Sequence, residues 1–351
     1  MNRSLYLVAA VALSSVSLAL PAVAQDMTTM TFNGTTITLG GGFQFLSLPD
    51  IHFVGRGTPT DFRRQRNSDF GEYGGAAGGG IETALGYWGG YRVTGGIKGF
   101  WASVEDSERR GCNGSPFCVI ADPSGIDPIA YGPSLLTKTD RDADYWGGAV
   151  ELKFAGGEPV QVKPNLYRND YFIIGADVRG IDQDNRLRGH DGGLDVFTYN
   201  ETLDTTYTGG YIGFGGEYSL GFLGTGGFMD RLGLRSFVSA RAGLYNADTD
   251  YDGRFTLDFA GLPQTRISQS NDELAFIASI SLETRKQIGP RTSLSLWTDY
   301  EYISSVPKMR YADDSGRPTR IEDDDALLSR TMLRLNVGLG SSNLYPTAPP
   351  Q

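Results

Sequence analysis

Apolar residues fall at every second position in ten stretches of the chain: 36–47, 72–85, 91–103, 144–154, 170–180, 206–220, 234–245, 273–285, 292–302 and 329–339. A two-residue period is that of a β-strand with one apolar face. The clearest stretch sets Leu274, Phe276, Ala278, Ile280 and Leu282 against Ser279, Ser281, Glu283 and Arg285. The second stretch is Gly-rich and weaker, with Tyr73, Ala77, Ile81 and Leu85 on one face. The connections alternate in length: 48–71 is long, 86–90 short, 104–143 long, 155–169 intermediate, 181–205 long, 221–233 shorter, 246–272 long, 286–291 tight and 303–328 long.

This pattern predicts an all-β, up-and-down antiparallel barrel of about ten strands, crossing a bilayer, with long loops at one end and short turns at the other. Twelve strands would result if 196–203 or 254–267 entered the wall; both are read here as hairpin extensions of the long loops. A water-soluble sandwich has no reason to alternate its loops in this way. Aromatic residues at the strand ends add a second signal: Tyr73, Trp101, Trp146, Tyr300 and Tyr302 toward the long loops, and Tyr91, Phe172 and Tyr218 toward the short turns. Such girdles mark the two interfaces of a membrane.

Mid-strand charges fall on the face opposite the apolar one. The basic members are Arg92, Lys98, Lys153, Arg179, Arg235, Arg241, Arg285, Arg330 and Arg334. The acidic members are Glu72, Glu82, Glu151, Asp177, Glu217, Glu273, Glu283, Asp299 and Glu301. A basic side chain facing lipid at the midplane costs roughly 2–4 kcal/mol, so these groups are expected in the lumen, paired nine against nine. Ten strands lie near the size that side chains fill. The expectation is a lumen largely closed by ion pairs, with at most a narrow path past Gly74, Gly78, Gly80, Gly213 and Gly215.

The mean hydropathy is −0.26, which a barrel with one greasy face per strand tolerates. Residues 1–24 read as a signal peptide: Arg3, an apolar run, then Ala22-Val23-Ala24. Residues 25–35 would form a short N-terminal segment, 36–340 the barrel and 341–351 a tail on the same, periplasmic side. A net charge of −10 opposes nucleic-acid binding. Two cysteines, Cys112 and Cys118, predict a local disulfide in an oxidising compartment.

Chemistry-bearing motifs are few. His52 and His190 both fall in long loops, and only His190, with Asp191 and Asp195, could form a protease-like pair at a barrel mouth; a solvated loop is the preferred reading. Asp248, Asp250 and Asp252 with Gly253 match the start of a calcium loop, but the twelfth position is Phe259 rather than Glu. No cofactor is expected, with loop-bound Ca²⁺ the one candidate. The glycine runs 40–42 and 78–80 lie within strands and lack the Lys-Ser/Thr of a phosphate loop.

With its strand pattern over 36–339, the chain resembles the Gram-negative outer-membrane β-barrels, including OmpA-like and autotransporter-like barrels. The resemblance implies a location in the outer membrane of the cell envelope, contact with its lipid and lipopolysaccharide, and insertion by the barrel-assembly machinery. Many such barrels end on an aromatic residue in the last strand; here that strand ends near Leu339 and SSNLYPTAPPQ follows. A structural or surface-interaction role is expected, not an enzyme. A narrow porin-like channel is the alternative, ahead of a barrel-mouth hydrolase or a soluble periplasmic barrel.

Overall fold

The computed structural model describes residues 34–51, 53–58, 61–64, 71–111, 118–120, 129–132, 134–156, 160–163, 166–168, 170–217, 232–258, 264–311 and 319–339. Ten long strands make up the wall: β1 (Thr35–Ser47), β2 (Gly71–Trp88), β3 (Tyr91–Gly111), β4 (Leu136–Gly156), β5 (Tyr171–Asp191), β6 (Leu194–Glu217), β7 (Leu234–Leu257), β8 (Thr265–Gly289), β9 (Thr292–Arg310) and β10 (Arg320–Leu339). Each pairs antiparallel with its sequence neighbours, and β1 closes the ring on β10 through the register Thr35↔Leu339 to Ser47↔Leu327. The closed ring has no free edge, so its backbone groups pair without water, as a membrane requires.

All ten predicted strands are present. Several run well beyond their expected ends, always at the long-loop side. The expected loop 181–205 is two strand extensions joined by Gly192 (φ +57°) and Gly193 (φ +88°), a tight turn of the kind that suits twisted hairpins. Gly89 and Gly90 make the same turn between β2 and β3 at the other end. The segments 196–203, 254–257 and 265–267 belong to extensions of β6, β7 and β8, with 259–263 outside the described residues, and the wall holds ten strands.

The extensions continue the alternation with its phase reversed. In the lower part of β7, Leu244 faces outward. Above it Tyr245, Ala247, Tyr251 and Phe255 point inward and are buried, while Asp248, Asp250 and Arg254 face out. On β5 the change comes between Val178, which is outward and exposed, and Ile181, which is inward and buried. The wall is therefore apolar outside where lipid surrounds it and apolar inside where water does. At about 3.3 Å per residue and a tilt near 40°, the 25 residues of β8 reach roughly 60 Å, more than twice the roughly 25 Å apolar band of such barrels.

Two long connections contribute a lid. Asp61–Arg64, Val54–Thr58, Cys118–Ile120 and Ile129–Tyr131 form a four-stranded sheet in that order. Cys118 is fully buried there; its expected partner Cys112 lies outside the described residues, as do the signal segment, His52, Tyr218 and the C-terminal tail. A two-stranded ribbon, Val160–Lys163 with Leu166–Arg168, decorates the β4–β5 connection.

Candidate functional site: the lumen

Inside the lower half of the ring the expected charges meet. All fifteen residues Arg92, Lys98, Glu151, Lys153, Asp177, Arg179, Glu217, Arg235, Arg241, Glu283, Arg285, Asp299, Glu301, Arg330 and Arg334 face the interior. Glu151 gathers Lys98 (2.8 Å), Arg241 (3.3 Å), Lys153 (3.5 Å) and the Tyr211 hydroxyl, which donates at 2.9 Å. Lys153 also pairs with Glu82. Arg179 bridges Asp177 (2.7 Å) and Glu301, and Tyr145 donates to Glu301. Arg235 Nε donates to Glu217 at 2.7 Å, Arg285 pairs with Glu283 at 2.9 Å, and Arg330 reaches Asp299 at 3.4 Å.

The balance is not the even one expected. Glu273 is exposed beside Asp323, above the apolar band, and the Glu72 side chain lies outside the described residues. Among the described residues the lumen of the band holds nine basic side chains against seven acidic ones.

Glycine makes this crowding feasible. Gly40, Gly80 and Gly213 each stand directly across the ladder from a long cation: Arg334, Lys98 and Arg241. A Cβ at these positions would come within 2.7 Å of Arg334 Cγ, 3.1 Å of Lys98 Cβ and 2.9 Å of Arg241 Cγ. Gly175, Gly215 and Gly209 face Tyr211, Tyr171 and Tyr245 in the same way, with ring atoms 2.4–2.6 Å from where a methyl carbon would sit. Of the five glycines expected along a path, Gly213 and Gly215 lie under the side chains opposite, Gly74 and Gly78 lie against neighbouring backbone, and Gly80 borders a lumen cavity.

The seal itself is apolar. Leu46, Val104, Tyr145, Ile181, Tyr207, Tyr245, Ala275, Ile303, Val306 and Leu328 form one buried cluster drawn from every wall strand except β2, where Gly74 admits Val104. Above it lies a polar layer. Arg141 donates to Pro49 O (2.8 Å) and Gln183 (2.9 Å), and Glu201 accepts from Tyr311 (2.6 Å), Tyr251 (3.0 Å) and Asn185 (3.0 Å). A second apolar cluster follows, centred on Phe53 of the lid, whose ring packs on Tyr199 (5.1 Å), Tyr311 (4.9 Å), Phe197 (5.7 Å) and Phe255 (6.1 Å).

Outside, Leu39, Phe43, Ile97, Val150, Ile174, Ile212, Phe214, Ile280, Leu296 and Leu333 are exposed around the ring. Trp101 and Tyr300 stand near its upper edge, and Tyr91, Trp88 and Phe172 near its lower one. A closed wall that is greasy outside and ionised inside is built for acyl chains.

This is a transmembrane β-barrel. No protein-family model and no curated protein matches the chain. Among solved structures it is similar to the outer membrane protease OmpT from Escherichia coli, with TM-score 0.44 and 10% identity over 89% of this chain and 98% of that one. It is also similar to the translocator domain of the autotransporter NalP from Neisseria meningitidis, with TM-score 0.28 and 11% identity over 88% of each chain. A Pseudomonas aeruginosa FadL homologue gives TM-score 0.24 and 7% identity over 87% of this chain and 90% of that one. These likenesses carry no activity, site or ligand across to this barrel.

The remaining candidates resolve simply. Asp248, Asp250 and Asp252 do not lie in a loop: they are alternate outward residues of the β7 extension, and Asp252 pairs with Arg254 (3.3 Å) and Arg266 (2.8 Å). An extended strand sets such carboxylates about 6.6 Å apart along its axis, so they do not converge on one ion, and no metal-holding group occurs among the described residues. Their two-residue spacing is that of a strand face in water. His190 sits at the outer tip of the β5–β6 hairpin, half-exposed and paired with Asp195, while Asp191 is engaged by Ser134. What the sequence reading missed is the inward Trp297 and the hydroxyls of Tyr145, Tyr171 and Tyr211. The signal was their parity, since Trp297 shares its face with Ser293, Ser295 and Asp299.

Proposed function

We propose that this barrel is a non-conducting envelope protein with a structural and surface-contact role, neither a pore nor a hydrolase. One observation carries the reading: the lumen is crossed by a layer of fully or nearly fully buried side chains, with Tyr145 only 1% and Tyr207 0% exposed. Hydrated solutes do not pass a packed apolar layer, because entry would strip their water without replacement. The ion pairs below it hold the wall together, and the extensions above it form a stiff pedestal that displays the loops outside the cell. Lipid and lipopolysaccharide are the proposed surroundings, and the barrel-assembly machinery the proposed route of insertion.

Planar-bilayer recording of the purified barrel tests this. The expected record is flat at potentials at which a porin inserted in parallel conducts; discrete steps that scale with protein added would replace this reading with a channel. The hydrolase reading rests on His190. If the native barrel cleaves peptides or lipids and His190→Ala abolishes that cleavage, the non-enzymatic reading fails.

A further inference from the structure

The charged half of the lumen is not solid. A cavity of about 220 Å³ lies among the ion pairs, and a second of about 180 Å³ continues it toward the short-turn end of the ring, with Lys153, Arg285 and Asn336 lining both. Three guanidinium groups that line the larger cavity lack a full set of partners among the described residues. Arg330 is only 5% exposed, yet its Nε and Nη1 make no hydrogen bond; its one ion pair is the 3.4 Å contact with Asp299. Arg241 shares Glu151 with two lysines and leaves Nε without an acceptor. Arg334 makes neither an ion pair nor a hydrogen bond among the described residues; it lies flat on Trp297, 3.5 Å from the ring centroid, with its stem over Gly40. Arg330 stands 5.4 Å from the same ring.

Buried guanidinium donors without acceptors are costly. All three side chains border the larger cavity while packing on rings beside it, Arg330 on Phe100 (3.7 Å), Arg241 near Tyr211 (5.6 Å) and Arg334 on Trp297, and together they carry the basic excess of the lumen. Planar donor forks of this kind match the oxygens of phosphate in bidentate fashion. We infer that the lumen cavity is a binding site for a small oxyanion of the phosphate class, held by Arg241, Arg330 and Arg334 beside Trp297. The apolar layer above closes the site on the cell-exterior side, so the anion enters from the periplasmic end. The site is independent of conduction: a barrel that binds and does not conduct satisfies both proposals, and a barrel that conducts without binding refutes both separately.

The test is titration of the refolded barrel in detergent with pyrophosphate, by calorimetry, in a constant chloride background. The expected result is saturable one-to-one binding. Arg334→Met preserves the stem over Gly40 and removes the charge, and should weaken binding by about tenfold or more. Arg254→Gln and Arg266→Gln, on the outer wall of the extension, should leave it unchanged. Folding is read from heat-dependent gel migration. Should Arg334→Met not fold, the emission of the wild-type barrel replaces it. Of the four tryptophans, Trp88 and Trp101 face out, Trp146 donates to Asp182 away from the cavity, and Trp297 borders the site, so saturating pyrophosphate should alter emission in the wild type and not in Trp297→Phe. No saturable heat in the wild type, equal affinity in Arg334→Met, or an emission change that survives Trp297→Phe would overturn the site.

Discussion

At the scale of single residues, the interior is governed by what stands across the ladder. A cation or ring that must lie flat against the wall needs an opposite neighbour without a Cβ, which is why Gly213 faces Arg241 and Gly209 faces Tyr245. Where the interior becomes apolar, ordinary core rules apply. Phe53 is fully buried against four aromatic rings. Phe53→Ala should destabilise the pedestal by about 3–5 kcal/mol, read as earlier urea unfolding of the extracellular end and faster proteolysis of the lid. Glu201 behaves differently. It is buried in the outer extension, and burial pushes its carboxyl above the ordinary 4.5 despite three donors and nearby Arg141. A carboxyl whose pKa rises on folding makes the folded state bind more protons than the unfolded chain. Its ionisation therefore costs stability above the raised value, and that cost disappears as pH falls through the raised value toward 4.5. Glu201→Gln should remove this part of the pH dependence, so that the wild type gains more stability than the variant between neutral pH and about pH 5; identical slopes in urea titrations would refute it.

At the scale of elements, the strand is the unit that changes environment. The ten stretches and their inward charges were legible because the lipid-facing half of each strand is apolar on one face only. The upper halves look like loops in the sequence because their alternation is inverted: on β7 the apolar residues move from even positions such as Leu244 to odd ones such as Tyr245, Tyr251 and Phe255. A search for one continuous greasy face ends where the phase turns, although the hydrogen-bonded ladder continues from Asn246↔Leu274 to Phe255↔Thr265. The same inversion gave Asp248, Asp250 and Asp252 the look of a calcium loop. The apolar seal was illegible for a further reason, since it is assembled from one or two residues of nine separate strands. The inversion makes a direct prediction. Ile280 faces lipid in the middle of the band, and Ser270 faces water on the extension of the same strand, opposite Asp250. Ile280→Arg should cost roughly 2–4 kcal/mol in lipid vesicles, whereas Ser270→Arg should stay within about 0.5 kcal/mol of wild type. Equal costs at both sites would mean that the phase change does not mark the membrane boundary.

At the scale of the molecule, closure has two independent sources. The wall closes because β1 meets β10, a contact between its first and last strands. The lumen closes twice, once by the wall's own apolar layer and once by the lid packed on the outer cluster. The two seals are separated by the polar layer of Arg141, Gln183 and Glu201, so neither depends on the other's packing. If the lid were a plug in an otherwise open tube, removing it would create a pore. The lower layer draws its described residues from the wall itself, apart from Leu48 just beyond β1. Replacing residues 51–64 with a short Gly-Ser linker deletes Phe53 and two strands of the lid sheet but leaves Leu46, Leu48 and Pro49 in place. The expected outcome is a less stable barrel that still passes no current in planar bilayers. Open-channel steps in this variant, absent from wild type, would show that the seal resides in the lid.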